Sequence, residues 1–268
     1  MKTFWLTLSI TFCFVAGYAQ ITQVNEMEEV LHFFNDADTQ TLAIFDVDMV
    51  LVQPSDPAFQ MANMKRFGPI CKRIMHEIPA DKQMIFLSLM TVCSDLVLLD
   101  PCIPPFLEQL KQKEVPAMAL TANLTGAFST VQSMEKWRTE SLRLLGIDFE
   151  ATAPYQNALV FQELASYRGN YSTYLNGILF VNGTVVSKGE ALLAFLAKTG
   201  LSFNKVIFVD DREENLQSVA SALQMLEKPL EFQGIHFTGA QRMGSKEISA
   251  EAFEARWLAL AAEAKQLN

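Results

Sequence analysis

Apolar runs that stop abruptly at acidic or hydroxyl side chains recur along this chain. The sharpest is residues 41–51, TLAIFDVDMVL, where a near-continuous hydrophobic segment ends at Asp46 and Asp48 with Val47 between them. That pattern predicts a strand buried on both faces. Residues 115–120 repeat it and end at Thr121, and residues 205–209 repeat it again and end at Asp210 and Asp211. Residues 177–181 form a further β run, followed by Asn182-Gly183 and the β-formers 184–186. An Asn-Gly pair between β-formers predicts a hairpin turn. Residues 232–238 predict a last strand.

Helical periodicity fills the intervals. It predicts helices over 24–35, 105–113, 134–145, 190–198, 213–226 and 247–267, with Ser187-Lys188-Gly189 opening the fourth and Gly200 closing it. Residues 53–99 are rich in Met, Phe, Lys and Arg. They predict helices over 57–78 and 80–97, punctuated by Pro54, Pro57, Gly68 and Pro79. This stretch is too long for an ordinary connection and reads as a helical cap inserted after the first strand. Residues 147–176 show no clear period. Strands alternating with helices predict an α/β fold, a Rossmann-like three-layer parallel sheet with helices on both faces. The expected division is a leader over 1–19, a core over 20–52 and 100–268, and the cap over 53–99.

The 268 residues suffice for one large domain or a core with an insertion, and half are hydrophobic. The net charge of −9, with no run of Lys or Arg, argues against nucleic acid as a partner. Lys2, the apolar residues 4–16, and the small Gly17 and Ala19 predict a signal peptide cleaved before Gln20. An uncleaved anchor is the competing reading, but the apolar run is short for a membrane span. The mature chain is therefore expected to be exported, periplasmic or secreted, with no membrane span after cleavage. Cys71, Cys93 and Cys102 remain, an odd number; Cys93 and Cys102 could pair across a short loop, although the sequence does not fix this. His32, His76 and His236 are scattered, and no zinc-site spacing is present.

Asp46 and Asp48 are placed where open α/β sheets bind ligands, at the carboxyl end of a strand. Carboxylates so close repel one another, and a metal ion, a lysine or a shifted pKa must offset that. Four polar features stand in order at strand ends or helix starts: Asp46/Asp48, Thr121, Lys188 and Asp210/Asp211. Each alone is common; a lone Lys at a helix start is usually a solvated residue. Their order resembles the haloacid dehalogenase-like hydrolase superfamily. Its Asp-x-Asp-x-Thr/Val signature is matched by Asp46-Val47-Asp48-Met49-Val50, its strand-terminal Thr/Ser by Thr121, its Lys by Lys188, and its acidic signature by Asp210-Asp211-Arg212-Glu213-Glu214-Asn215. The resemblance covers residues 42–226. The leader, the helical insert and the Asn-Gly-containing approach to Lys188 are further similar to an uncharacterised family of secreted bacterial members (DUF2608-like).

The resemblance implies phosphoryl transfer on a small phosphorylated substrate. Asp46 would be the nucleophile, and Asp48 would pass a proton and lend its backbone carbonyl to a metal. Thr121, with the amide of Ala122, would hold the phosphoryl oxygens, and Lys188 would neutralise charge. Mg²⁺ would be held by Asp46, Asp48 and Asp211, with Asp210 a further ligand or supporting partner. Dehalogenase members lack the second aspartate, so Asp48 favours phosphoryl chemistry. The expected function is an exported Mg²⁺-dependent phosphomonoesterase with residues 53–99 as its lid. The alternatives are a phosphotransferase using the same residues, and a binding or effector protein without turnover whose Phe- and Met-rich insert and 147–176 segment meet a protein partner. Arg212 and Arg73 are within possible reach of the site, but the sequence does not place them there.

Overall fold

A computed structural model describes residues 19–228, 230–242 and 245–267. In chain order the elements are β1 (Ala19–Val24), α1 (Met27–His32), β2 (Thr41–Phe45), β3 (Val52–Pro54), α2 (Met61–Arg66), α3 (Gly68–Glu77), α4 (Ala80–Val92), β4 (Leu96–Leu98), α5 (Ile103–Gln112), β5 (Ala117–Thr121), α6 (Met134–Leu144), β6 (Leu159–Val160), β7 (Thr173–Leu175), β8 (Ile178–Phe180), α7 (Lys188–Thr199), β9 (Lys205–Asp210), α8 (Glu213–Leu223), β10 (Glu231–Phe237) and α9 (Ala250–Gln266). Eight strands form one sheet in the order β1-β10-β9-β2-β5-β8-β7-β6. The first six pair in parallel, and β7 and β6 continue antiparallel beyond β8. Helices cover both faces, so the fold is the expected α/β class with a large, mostly parallel central sheet.

Strand periodicity builds the three layers. Along β2 the side chains alternate between faces. Ala43 and Phe45 pack with Val30, Phe34 and Phe106 of the first layer, while Leu42 and Ile44 pack with Leu192, Phe195 and Val219 of the other. Phe34 lies 5.4 Å from Phe45 and 5.2 Å from Phe106, ring centre to ring centre. A third apolar cluster lies outside the sheet. It joins Ile74, Phe86 and Leu89 of the insert to Phe253, Trp257 and Leu260, so the terminal helix α9 packs on the inserted helices. The insert leaves and rejoins the core through a two-stranded antiparallel ribbon, β3 with β4, in which Val52 opposes Leu98 and Pro54 opposes Leu96.

Several sequence expectations need correction. The helix expected over 24–35 is shorter, because residues through Val24 form an edge strand paired with β10. The second insert helix ends at Val92, since Leu96–Leu98 is taken into the ribbon, and the first breaks at Phe67 between α2 and α3. Asn182-Gly183 turns no hairpin, and residues 184–186 form no strand. The hairpin lies one turn earlier, at Asn176-Gly177, where φ values of 50° and 76° give the left-handed pair that such a turn needs. Gly177 is required there twice over, because a Cβ would come within 2.4 Å of the Phe149 carbonyl oxygen. Residues 147–176, unreadable as sequence, contain the short strands β6 and β7.

Except for Ala19, the expected leader lies outside the described residues. Among the described residues no helix is long and apolar enough to cross a membrane. Cys71, Cys93 and Cys102 are unpaired, and burial pushes their thiols up to about 11, 11 and 12 respectively.

One close approach fixes the start of α7. A Cβ on Gly189 would meet the backbone oxygen of Ser218 at 2.3 Å, and the Gly189 amide donates to the Ser218 hydroxyl at 3.1 Å. Gly189→Ala is expected to force α7 and α8 apart and to cost about 1–3 kcal/mol in chemical denaturation, the usual range for overpacking. A midpoint unchanged from the parent chain would show that the contact is not rigid.

Candidate active site

The chain reverses direction across the sheet next to β2. From β2 it moves through β5 to β8, then returns to β9 and β10 on the other side. The carboxyl ends of β2 and β9 therefore flank the topological switch point, the usual crevice for ligands in such sheets. Asp46 follows β2 directly, and its amide still donates to the Val209 carbonyl at 2.8 Å. Asp210 ends β9 and Thr121 ends β5. Lys188 is the first residue of α7, whose start is held by a capping box: Ser187 accepts from the Glu190 amide, and Glu190 accepts from the Ser187 amide.

Lys188 lies between two aspartates. Its Nζ is 2.8 Å from Asp46 Oδ1 and 2.7 Å from Asp210 Oδ2. Asp210 is fully buried, and its Oδ1 accepts from the Arg212 amide and from Asn215 Nδ2, each at 2.9 Å. Asp46 Oδ1 also accepts from the Val47 amide at 2.8 Å, while its Oδ2 takes no hydrogen bond among the described residues. Asp211 presents its carboxylate to the cavity, and His236 Nε2 sits 3.1 Å from its backbone carbonyl oxygen.

The electrostatics follow from three carboxylates facing one ammonium. Desolvation raises Asp46 to about 7 against the pull of Lys188, with Asp210 adding to the rise. Desolvation, then Asp46 and Asp210, push Asp211 up to about 8. Burial opposes the charge on Lys188, but Asp210 and Asp46 outweigh it and hold its ammonium above the usual lysine value. Negative charge is thus in excess. One oxygen each from Asp46, Asp210 and Asp211 lies within 4.8 Å of the others. Such an all-oxygen, over-negative donor set fits a hard divalent cation such as Mg²⁺.

The structure brings the six sequence-predicted residues to one place. Asp46, Asp48, Thr121, Lys188 and Asp211 line a cavity of about 440 Å³, and Asp210 supports it through Lys188. The Thr121 hydroxyl accepts from the Asn123 amide at 3.3 Å and keeps its own proton to donate. Arg212 lines the cavity while paired with Glu214. Arg73 does not come to the site; it pairs with Glu77 and Glu254.

Two residues the sequence reading missed hold Asp48. Arg138 Nη2 donates to Asp48 Oδ1 at 2.9 Å and Oδ2 at 3.1 Å, and Asn123 Nδ2 donates to Oδ2 at 2.9 Å. Arg138 Nε in turn donates to Asn123 Oδ1 at 2.6 Å, closing a ring of three side chains. Arg138 is completely buried, and its Nη1 has no partner among the described residues. The signal was available in the sequence. Arg138 falls midway between Met134 and Leu142 on the apolar stripe of α6, where a charged side chain has no business without a partner.

Fold and site together define an α/β protein with an aspartate–lysine centre at the switch point of its sheet. The chain belongs to the family described as "Protein of unknown function (DUF2608)", which it matches over residues 23–266. Its relatives include an uncharacterized protein of Rickettsia bellii, 23% identical over 229 residues that cover 82% of this chain and 77% of the relative. One of Rickettsia conorii is 20% identical over 255 residues, 91% of this chain and 86% of the relative. Another, of Rickettsia felis, is 26% identical over 147 residues, 54% of this chain and 49% of the relative.

Lys188→Met is expected to leave buried carboxylates without their cation and to cost about 3–5 kcal/mol, read as a lower urea midpoint; a neutral result would mean that the carboxylates are protonated in the folded chain. Mg²⁺ at a hundred times its dissociation constant should stabilise the parent by about 2.7 kcal/mol. For a chain of this size that raises the thermal midpoint by roughly 5–10 °C. Asp211→Asn should remove most of the rise, and a parent midpoint indifferent to Mg²⁺ would argue against a cation at these oxygens.

Proposed function

We propose that this protein is an exported, Mg²⁺-dependent phosphomonoester hydrolase of the haloacid dehalogenase-like superfamily, acting through an aspartyl-phosphate. The observation that carries the reading is Asp46, held by Lys188 through one oxygen and open at the other, in a cavity it shares with Thr121, Asp48 and Asp211. Export rests on the leader in the sequence.

The chemistry requires positioning and charge neutralisation more than bond-making power. Mg²⁺ bound by Asp46, Asp210 and Asp211 would offset the negative charge that otherwise keeps a phosphate from a carboxylate. The open oxygen of Asp46 attacks phosphorus; the new O–P bond forms as the ester O–P bond breaks, and the electron pair leaves on the alcohol oxygen. Lys188 keeps its proton throughout and balances charge on Asp46. Thr121 donates its hydroxyl proton to a phosphoryl oxygen.

Asp48 moves the proton. Its carboxylate has about four acceptor positions, three of them filled by Arg138 and Asn123. The remaining position carries the proton given to the leaving alcohol and later taken from water. That water attacks the phosphorus of the aspartyl-phosphate, and phosphate departs as Asp46 is regenerated. Arg138 and Asn123 fix the aim of this carboxylate.

The test is phosphate release from a broad panel of phosphomonoesters by the purified mature chain with Mg²⁺. Turnover is expected to disappear with chelator and to fall by at least about 10⁴-fold in Asp46→Asn, as loss of a nucleophile does elsewhere. Silence across the panel, beside control enzymes that work, would reject the reading.

A further inference from the structure

Beside the charged cavity lies a second chamber of about 310 Å³, within the range of small-molecule sites. Asp48, Met49, Ala122, Asn123, Thr184 and Arg212 line both spaces, so the second opens directly onto the first. Its remaining wall comes from the insert and α9 and has a different chemistry. Met64, Met75, Met84 and Met90 face it together with Met49 and Trp257. Thioethers on flexible unbranched chains adapt to varied apolar shapes.

Most of the polar groups in this wall are already committed, the Ser88 and Thr184 hydroxyls being the exceptions. Asp48 and Asn123 are bound to one another and to Arg138. Arg212 donates to Glu214 through Nε at 3.0 Å and Nη2 at 2.5 Å. The Trp257 indole donates to the Ala58 carbonyl at 2.8 Å, and the Thr91 hydroxyl to the Leu87 carbonyl at 3.3 Å. A sugar or nucleoside would lose its hydrogen bonds to water here and meet mostly sulfur and hydrocarbon, a costly exchange. An alkyl chain would lose nothing polar and gain burial.

We propose that this methionine-lined chamber receives the leaving group, and that the substrates are phosphomonoesters of apolar, uncharged alcohols. The inference rests on the phosphatase reading above and specifies its substrate class. The phosphoryl group takes the charged cavity, and the hydrocarbon runs past Asp48 and Met49 beneath the insert. Leu87, on α4 at the chamber wall and 42% exposed, can be changed without opening the core.

The experiment compares methyl, butyl and octyl phosphate, with glucose 6-phosphate as the polar control, in the presence of Mg²⁺. kcat/KM is expected to rise about three- to fourfold per methylene, on the order of a hundredfold from butyl to octyl phosphate. Glucose 6-phosphate should be poor. Leu87→Glu and Met84→Glu should each cut the octyl-to-butyl ratio by about tenfold or more, because a charge then borders the hydrocarbon. Met84→Leu should keep the ratio and serves as the folding control. Phosphate release with no dependence on chain length would overturn the inference and leave the phosphatase reading standing. If no ester is turned over, that reading falls, and calorimetric binding of butyl and octyl phosphate decides the chamber alone. Tighter binding of octyl phosphate, lost in Leu87→Glu, would support it; equal or absent binding would overturn it.

Discussion

Three carboxylates share the carboxyl ends of β2 and β9 with one ammonium group, and nearly every feature around them works against the repulsion that results. Asp210 is buried completely and tolerable there because Lys188, the Arg212 amide and Asn215 occupy its oxygens. Asp46 shares the same lysine. Asp211 has no such partner among the described residues and stays at the cavity wall. The balance still falls short by charge, which is why burial and mutual repulsion drive Asp46 and Asp211 toward neutrality together. A cluster satisfied internally would be a structural ion-pair network. One left over-negative and open to a cavity has the character of a functional-site candidate.

The sheet makes this arrangement possible without long loops. Parallel strands all end on one edge, so Asp46, Thr121 and Asp210 reach a common line although far apart in sequence. Lys188 arrives from a helix start, and the contact of Gly189 with Ser218 sets how deep that helix sits. Immediately after Asp48 the backbone turns through Met49 at φ 64°, a left-handed conformation unusual for a residue with a Cβ. Met49 donates its amide to the Val52 carbonyl at 2.8 Å, and the chain passes at once into the ribbon that carries the insert. Asp48, turn and insert are thus joined within a few residues.

Much of this was legible in the sequence because the central strands are buried on both faces. Apolar runs that stop at Asp46, Thr121 and Asp210 mark strand ends without any knowledge of partners. Edge elements carry no such mark. β1 reads AQITQV, half polar with Thr22 and Gln23 adjacent, and becomes a strand by pairing with β10 more than two hundred residues away. The two Asn-Gly pairs show a different limit. Both are left-handed in the fold, yet only the first turns a hairpin. At the second, Asn182 gives its side chain to the Thr125 amide and to the carbonyls of Tyr167 and Asn170, tying the loop after β8 to the loops after β5 and before β7. A local turn signal cannot reveal that its side chain is needed elsewhere.

The ring formed by Asp48, Asn123 and Arg138 explains how a charged centre and an apolar chamber can share a wall. A carboxylate at such a boundary would ordinarily draw water to both sides. Here Arg138 reaches it from the buried face of α6 and Asn123 from the loop after β5, so most of its acceptor positions are filled from within the protein. The side facing the insert is then free to be lined by thioethers without an orphaned charge beside them. Replacing Arg138 by an apolar residue would remove a buried charge but leave Asp48 at the chamber wall without its bidentate partner. The arginine is therefore needed on the apolar stripe of α6, because it keeps the polar chemistry on one side of Asp48.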